Sequence, residues 1–245
     1  MKKIIFCFAT IVFMGLMFAS CEREDNESTT PGGGNNNTSQ DTPSDPVEWV
    51  DLGLPSGLLW RSCNLGATTP EEFGDYYAWG ETQTKSIYNW DNYIYGDHDG
   101  DNETWTMYKY NTNETYGAVD NLRVLEPADD AATVVLGAGA RIPTQQEWQE
   151  LISNTSGEWT EQNGVNGWKF TAENGNSLFL PAAGRWMNET LYEPNHTGSY
   201  WSSSLITDYT YFARYYSFQS IDSRIYFFSR FIGCSIRPVK AGNNK

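Results

Sequence analysis

A short acidic segment holds the densest run of potential metal-binding side chains. Residues 97–103 read Asp-His-Asp-Gly-Asp-Asn-Glu. Calcium takes about six to eight oxygen ligands, and alternating carboxylates in a turn can supply several of them. The candidate calcium ligands are Asp97, Asp99, Asp101 and Glu103. The segment lacks the glycine and the glutamate of an EF-hand loop, since Asn102 and Tyr108 stand in their places, so an exposed acidic turn is the alternative.

Aromatic side chains form a second candidate set. Between residues 88 and 110, tryptophans and tyrosines are interspersed with Asp and Asn, and aliphatic residues are few. Flat rings with a polar edge provide a large contact area at a small entropic cost, which suits recognition of a sugar or a protein. The alternative is that several of these rings are core residues that hold a long insertion in place.

A second group of aromatic residues, which is the third candidate set, lies near the C-terminus. The run from Tyr226 to Phe231 has too many large rings for a strand with one buried face, so some must be exposed or covered by a partner. The predicted ligand-binding residues are Trp90, Tyr93 and Trp105 from the first region, and Trp186, Tyr209, Tyr211, Tyr226 and Phe228 from residues 185–199 and 209–231.

The sequence gives little support for catalysis. The only two histidines, His98 and His196, stand in neither a Ser/His/Asp pattern nor a zinc-binding pattern. With 31 acidic residues, a carboxylate pair for glycoside hydrolysis stays open as a further hypothesis. We predict no catalytic residue and no certain cofactor, with calcium as the one candidate.

The N-terminus predicts the compartment. Lys2 and Lys3 precede an apolar run of about fifteen residues, too short to span a hydrocarbon core of about 30 Å as a helix, and Ala19-Ser20-Cys21 follows. This arrangement resembles a bacterial lipobox, although Phe18 stands where leucine is usual. We therefore predict a signal peptide over residues 1–20 and a lipid anchor at Cys21, with an N-terminal membrane helix as the alternative.

The next segment predicts a tether. Residues 21–46 are rich in acidic residues, Gly, Asn, Ser and Thr, so they cannot bury apolar surface and should stay disordered. The acidic cluster after Cys21 resembles the export signals of surface lipoproteins, with a solvated linker as the alternative. The formal net charge of −15 argues against nucleic acid and against anionic membranes. We expect an outer-membrane protein that faces outward and contacts the membrane only through its lipid.

Two cysteines remain once Cys7 is removed with the signal and Cys21 is lipidated. They are Cys63 and Cys234, one near each end of the expected domain. In an oxidising compartment such a pair most simply forms a disulfide. Two buried thiols are the alternative.

The candidate residues need helices and strands to position them, and the sequence signals for these elements predict an α+β domain over residues 47–240. A tail at 241–245 follows it. The clearest helix follows Pro143, where Thr144 and Glu147 form a capping box. Asn174-Gly175 between two alternating runs predicts a hairpin. Short strands fill the C-terminal third, and a strand, a turn and a strand cover residues 50–60.

The order of several motifs resembles a known family, the Fibrobacter succinogenes major paralogous domain of secreted Bacteroidetes lipoproteins. The motifs, spread from about residue 48 to 240, are Trp49 to Trp60, Asn64 to Ala67, Gly74 to Glu81, Leu125 to Pro127, Asp129 to Ala132, Arg141 to Trp148, Leu180 to Gly184, Tyr200 to Ser204 and Ser235 to Val239. The resemblance implies a fold more than a function, because the family's biochemical role is not established.

A second resemblance, to C-type-lectin-like domains, rests on the Arg-Ile-Pro-Thr helix start, the Trp201-Ser202-Ser203 strand and the closing strand with Arg237. It implies that the first and last strands pair, which would bring the two cysteines together, and that ligands meet residues 185–199 and 209–231. The tripeptide Glu193-Pro194-Asn195 matches a sugar-binding motif of true C-type lectins, but its spacing to Trp201 indicates coincidence.

These inferences predict a surface lipoprotein that binds an extracellular glycan or protein without catalysis. A structural envelope or adhesin component that packs on a protein partner is the second hypothesis. A glycan-acting enzyme is the third. The oligomeric state stays open.

Overall fold

The computed structural model describes residues 47–137 and 139–242. The predicted signal peptide, the lipidated Cys21 and the tether therefore lie outside the described residues. The described part is α+β, as predicted, and its regular elements are mainly short antiparallel strands with few helices. Within this part of the chain, no helix is both long enough and apolar enough to cross a membrane.

The elements of the described residues follow in chain order. The strands are β1 (Trp49–Asp51), β2 (Leu58–Arg61), β3 (Tyr76–Tyr77), β4 (Gly96–Asp99), β5 (Thr104–Met107), β6 (Ala140–Arg141), β7 (Thr155–Gln162), β8 (Val165–Ala172), β9 (Ser177–Pro181), β10 (Arg185–Met187), β11 (Thr190–Tyr192), β12 (Thr197–Leu205), β13 (Phe212–Gln219), β14 (Asp222–Ser229), β15 (Cys234–Ser235) and β16 (Val239–Ala241). The α-helices are α1 (Ala131–Leu136) and α2 (Gln145–Ser153), and single 3-10 turns lie at Trp90–Asn92, Glu114–Tyr116 and Pro127–Asp129.

One antiparallel sheet joins the two ends of the domain. Its strand order is β1-β2-β16-β6, so the last strand pairs with the second, and Val239 lies opposite Trp60. The turn before β2 is closed by the amide of Gly57 on the carbonyl of Leu54 at 2.9 Å. Ala241 belongs to β16, and the amide of Gly242 donates to the carbonyl of Gly57 at 3.1 Å. The domain therefore continues past residue 240 into the first residues of the predicted tail.

Helix α2 places a tryptophan at the centre of the core. The predicted capping box is confirmed: the Thr144 side chain accepts from the Glu147 amide while the Glu147 carboxylate accepts from the Thr144 amide. Trp148 on the buried face lies between Trp60 and Tyr216, with ring centroids 4.8 and 5.0 Å away. Its indole N–H donates to the carbonyl of Trp201 at 3.2 Å. The helix thus packs the end-joining sheet against the strands of the C-terminal third.

Those strands form a five-stranded sheet in the order β14-β13-β12-β15-β3, in which β14 is the outer strand. Pairing is antiparallel apart from β12 with β15. A separate three-stranded sheet, β7-β8-β9, contains the predicted Asn174-Gly175 hairpin, confirmed by the pairing of β8 with β9 and by a φ of +86° at Gly175. Phe170 and Phe218 are buried in the core between these sheets.

The predicted disulfide is wrong, because Cys63 and Cys234 are not joined. The Cys63 thiol donates to the carbonyl of Ala67 at 3.0 Å, in a small cluster with Val47. Cys234 lies in β15, in a different sheet from β16, and belongs to the core cluster of Trp79 and Trp201. The end strands do share a sheet, but this pairing places Val239 rather than Cys234 beside β2. Burial raises the pKa of the Cys234 thiol, which keeps it protonated and unreactive.

Candidate functional site

A continuous set of aromatic rings reaches the surface where three loops meet the start of β13. Each ring packs on the next, and each is half-buried or exposed. We name this set the aromatic ridge. Its members are His98, Trp105, Tyr116, Tyr209, Tyr211, Phe212, Tyr226 and Phe227. It joins predicted binding residues from both regions of the sequence, Trp105 from the insertion and Tyr209, Tyr211 and Tyr226 from the C-terminal third.

Trp105 connects the insertion to the C-terminal third through ring stacking. His98 lies opposite it in the β4–β5 hairpin, and the two rings stack with centroids 4.6 Å apart and planes at 26°. Tyr211 stacks on the indole at 4.3 Å and 12°. Two rings so close to one centroid and so nearly parallel to it cannot share one face of the indole. Both faces of Trp105 are therefore covered, and the indole presents an edge to solvent.

The ridge continues from the hairpin across two strands. Phe212 lies 4.4 Å from Tyr211, and Phe227 lies 5.0 Å from Phe212. Tyr226 stacks on Phe227 at 4.6 Å, on the outer strand β14. Tyr116 meets Tyr211 edge to face at 5.2 Å. Tilted and edge contacts of this kind fix the rings relative to one another, so the surface they form is rigid before any ligand arrives.

The most accessible rings of the ridge are tyrosines. The side chains of Tyr209 and Tyr226 are 54% and 44% exposed. Tyrosine combines apolar area with a hydroxyl that can donate or accept, and it has few rotatable bonds to restrict on binding. Burial, followed by the neighbouring Tyr116, raises the pKa of Tyr211. The phenol of Tyr211 is therefore neutral near pH 7, where it serves as a hydrogen-bond donor.

Hydrogen bonds tie the loops of the ridge together. The side chain of Asn113 donates to the carbonyl of Asp208 at 3.1 Å, and the Thr112 hydroxyl donates to the carbonyl of Thr207 at 2.6 Å. The buried amide of Asn111 accepts from the hydroxyl of Thr210 at 2.9 Å. Loops are usually more mobile than the elements they connect, whereas the 111–113 and 207–210 loops are fixed to each other by hydrogen bonds of their side chains.

A buried arginine anchors the insertion beneath the ridge. Arg230 is fully buried, and its guanidinium donates to the carbonyls of Lys109 at 3.0 Å and Thr210 at 2.9 Å. It also donates to the Tyr93 hydroxyl at 2.7 Å and lies 4.8 Å from the ring of Trp79. One planar cation thus binds the segment after Trp105 and the segment before Tyr211 at the same time, which holds the two halves of the ridge in register.

A second buried network, centred on Asp129, holds the segment from Tyr95 to Tyr110 in place. Asp129 accepts from Tyr95 at 2.6 Å, from Lys109 at 2.6 Å and from Tyr110. Burial alone would raise the pKa of Asp129, but these three hydrogen bonds outweigh it and the pKa is lowered. Burial and the bond to Asp129 raise the pKa of Tyr95 to about 12. Tyr110 occupies this network at a φ of +58°, a backbone conformation that is costly for a bulky residue.

Trp90 and Tyr93 do not belong to the ridge. Tyr93 is buried, donates to the carbonyl of Trp79 at 2.8 Å and accepts from Arg230. Trp90 packs edge to face on Tyr93 and on Phe231, at 5.5 and 5.2 Å. The prediction that these two residues contact a ligand is therefore not supported by their placement, and the alternative, rings that pin down the insertion, describes them.

Trp186 and Phe228 also lie apart from the ridge. The backbone of Trp186 pairs with Gly233, and its ring meets Tyr76 edge to face at 6.3 Å. Phe228 stacks on Tyr215 at 4.6 Å, with the guanidinium of Arg185 5.3 Å from its ring. Phe228 borders a cleft of about 170 Å³. Both rings pack mainly on other residues of the domain and lie outside the ridge.

The candidate calcium site is not assembled. Residues 97–103 form most of β4 and the turn that leads into β5, and the Asp99 carboxylate accepts from the Asp101 amide at 3.0 Å and from Asn102 at 2.6 Å. Asp97 accepts from the amide of His98. Across the described ranges, no group of at least three His, Cys, Asp or Glu side chains converges as metal ligands would. The carboxylates of Asp97, Asp99, Asp101 and Glu103 belong instead to an exposed acidic turn, as the alternative had it.

The Glu193-Pro194-Asn195 tripeptide has local structural contacts. Glu193 forms an ion pair with Arg185 at 2.6 Å, and the side chain of Asn195 accepts from the amide of Asn166 at 2.7 Å. Both residues adopt positive φ, which the turn between β11 and β12 requires. These contacts account for the residue types without a ligand.

Some residues of the site were not predicted from the sequence. Phe212, Tyr116 and Phe227 complete the ridge, and Arg230 supports it, but each depends on contacts between distant segments. The one available signal was an arginine flanked by aromatic residues in the run Phe-Ser-Arg-Phe, which is unusual in a buried segment.

No protein-family model, curated protein or solved structure matches this chain. Its function is therefore inferred from the geometry of the aromatic ridge and from the sequence resemblance described above.

Proposed function

We propose that this chain is a surface-displayed lipoprotein, anchored at Cys21, whose domain binds an extracellular protein without catalysis. The aromatic ridge is the contact surface. The observation that carries the proposal is the meeting of Trp105 with Tyr211, which makes two separate aromatic segments into one surface at the solvent boundary. Exposed, rigid, tyrosine-rich surfaces of this kind supply much of the contact area in protein recognition.

A protein ligand suits the ridge better than a sugar stacked on tryptophan. A sugar ring stacks on an open aromatic face, whereas both faces of Trp105 are covered by His98 and Tyr211. Trp90 and Trp186 are half-buried against Phe231 and Tyr76. The edges and hydroxyls that remain suit the mixed polar and apolar contacts of a protein interface.

We further propose that the domain belongs to the Fibrobacter succinogenes major paralogous type, with a C-type-lectin-like fold. The pairing of β2 with β16 supports this, because that fold brings the ends of the domain together. The place of the ridge is also consistent, since Tyr209 to Phe227 fall in the late region where such domains meet ligands. The acidic residues after Cys21 support outward display on the outer membrane.

The proposal is tested by photo-cross-linking on intact cells that display the full chain. A benzophenone amino acid replaces Tyr209 on the ridge or, as a matched control, Tyr192, which is 36% exposed on β11. We expect a discrete cross-linked polypeptide from position 209 and none of that size from position 192. Equal cross-linking from both positions would count against the ridge as the contact surface.

A glycan array with the detergent-solubilised full chain provides the opposing test. Reproducible glycan binding that is lost in Tyr209→Ser but kept in Tyr192→Ser would replace the protein ligand by a sugar. If the cross-linked partner were a fixed, stoichiometric envelope protein on every cell, the ridge would serve the structural role that is the second hypothesis.

A further inference from the structure

We infer that the partner of the aromatic ridge is a polypeptide segment rich in lysine and arginine. This inference rests on the proposed function and adds the chemistry of the ligand. It comes from the charge of the loops that carry Trp105, Tyr116, Tyr209 and Tyr211, taken together with the exposure of their rings.

Those loops carry many acidic residues and, apart from His98, no basic residue. Residues 96–107, 111–120 and 206–212 contain neither lysine nor arginine. Their acidic residues, all exposed, are Asp97, Asp99, Asp101, Glu103, Glu114, Asp120 and Asp208. The adjoining Lys109 does not offset them, because it forms ion pairs with Glu126 and Asp129, each at 2.6 Å. The Trp105 end of the ridge is therefore a rigid aromatic surface in a negative field.

The charge differs at the other end of the ridge. Arg214 lies opposite Phe227 in the β13–β14 register, and the guanidinium of Arg224 lies 5.1 Å from the ring of Tyr226. The end of the ridge near Tyr226 already has its own cations. A basic partner is therefore expected to bind over Tyr116, Tyr209 and Tyr211 rather than along the whole ridge.

Lysine and arginine match both components of this surface. A guanidinium or ammonium group is attracted to the face of a tyrosine ring and to nearby carboxylates at the same time. Opposite charges across an interface also accelerate encounter, and this effect weakens as salt rises. Binding should therefore be fast and strongly dependent on ionic strength.

The same charges argue against other occupants. Nucleic acid, acidic glycans and anionic lipid headgroups are repelled by the field. A second copy of this chain brings its own net charge of −15. A bound divalent cation needs converging ligands, which are missing from the described residues.

The test measures binding of a fluorescent peptide of alternating Arg and Gly-Ser to the full-length chain in nonionic detergent. The control peptide has citrulline in place of arginine, which keeps the shape and removes the charge. We expect at least tenfold weaker binding of the citrulline peptide, and at least tenfold weaker binding of the arginine peptide at 0.5 M than at 0.05 M salt.

Matched variants locate the contact. The test variant D101N/E103Q/E114Q/D208N neutralises four ridge carboxylates and spares Asp97, Asp99 and Asp120, whose carboxylates accept the hydrogen bonds of their turns. The control variant E158Q/E161Q/E173Q/E189Q makes the same charge change at exposed positions elsewhere. We expect at least tenfold weaker binding for the first variant and less than twofold for the second. Tyr209→Ser should weaken binding at least threefold, and Tyr192→Ser should not.

Equal weakening by both charge variants would show a non-specific effect of net charge and would overturn the inference. Absence of peptide binding to the unaltered chain would overturn it as well. If Tyr209 still cross-links a partner on cells in that case, the proposed function stands and only the basic character of the ligand is wrong. If neither test gives a signal, both fail.

Discussion

Two aromatic stacks a few residues apart have opposite surroundings. Tyr216, within β13, stacks on Trp148 at 5.0 Å and 20°, and both rings are fully buried. Tyr211, directly before β13, stacks on Trp105 at 4.3 Å and 12°, and both rings are half-exposed. The contact chemistry is the same, but the first stack is surrounded by core residues and the second by solvent and carboxylates. The first therefore contributes mainly to stability, and the second is available to a partner.

The largest expected difference comes from truncating one tryptophan of each stack. Trp148→Ala removes a buried ring between Trp60 and Tyr216 and should lower the free energy of unfolding by about 3–5 kcal/mol. Trp105→Ala should cost only about 1–2 kcal/mol, because its ring contacts are partly open to water. Urea unfolding followed by circular dichroism measures both. Equal losses would contradict the distinction between the two stacks.

Arg230→Met tests whether the ridge depends on its buried anchor. The change leaves the carbonyls of Lys109 and Thr210 without the guanidinium that binds them, at a cost of about 2–4 kcal/mol in stability. Hydrogen exchange should rise over residues 104–110 and 206–212 and stay unchanged in α2. Arg224→Met, an exposed arginine on β14, is the matched control. An equal rise in hydrogen exchange across the whole domain would mean that Arg230 stabilises the whole fold rather than the ridge.

Asp129→Asn should have an effect that depends on pH. The pKa of Asp129 is lowered in the folded state, so its carboxylate stabilises the fold above the unfolded pKa of about 4, and this contribution is lost as pH falls through the folded pKa. The variant should therefore be about 2 kcal/mol less stable than the natural chain at pH 7 and approach it near pH 3.

Urea midpoints at pH 7, 5 and 3 provide the measurement for that variant. Asp101→Asn, at the exposed hairpin tip, is the control and should stay within about 0.5 kcal/mol throughout. If the stability deficit of Asp129→Asn were as large at pH 3 as at pH 7, Asp129 would stabilise the fold through packing rather than through its charge.

The smallest expected effect on stability is that of Tyr209→Ser. The side chain is 54% exposed, and its ring centroid lies 6.2 Å from that of Tyr211. Stability should change by less than about 0.5 kcal/mol while binding through the ridge weakens. Thermal unfolding and peptide binding on the same sample separate the two quantities. A large loss of stability would show that Tyr209 contributes to the stability of the domain rather than to the binding surface.

Local signals predicted the scaffold better than the site. The α2 capping box and the Asn174-Gly175 hairpin depend on residues within a few positions of one another, and both are confirmed. The division of the aromatic residues was not predictable, because Trp105 meets Tyr211 and Tyr93 meets Arg230 across more than a hundred residues. The disulfide failed for a related reason: Cys63 follows β2 in a loop, whereas Cys234 lies in β15 of the five-stranded sheet, and cysteine spacing cannot reveal that separation.

The position of β16 also constrains when the domain can fold. Strand β2 lies between β1 and β16, and its partner Val239 is among the last described residues. The end-joining sheet cannot close until the chain as far as β16 has been synthesised, so β2 must wait with its apolar residues unpaired. Closure of this sheet is therefore expected to be a late and slow step of folding, with Trp60 exposed to chaperones until β16 arrives.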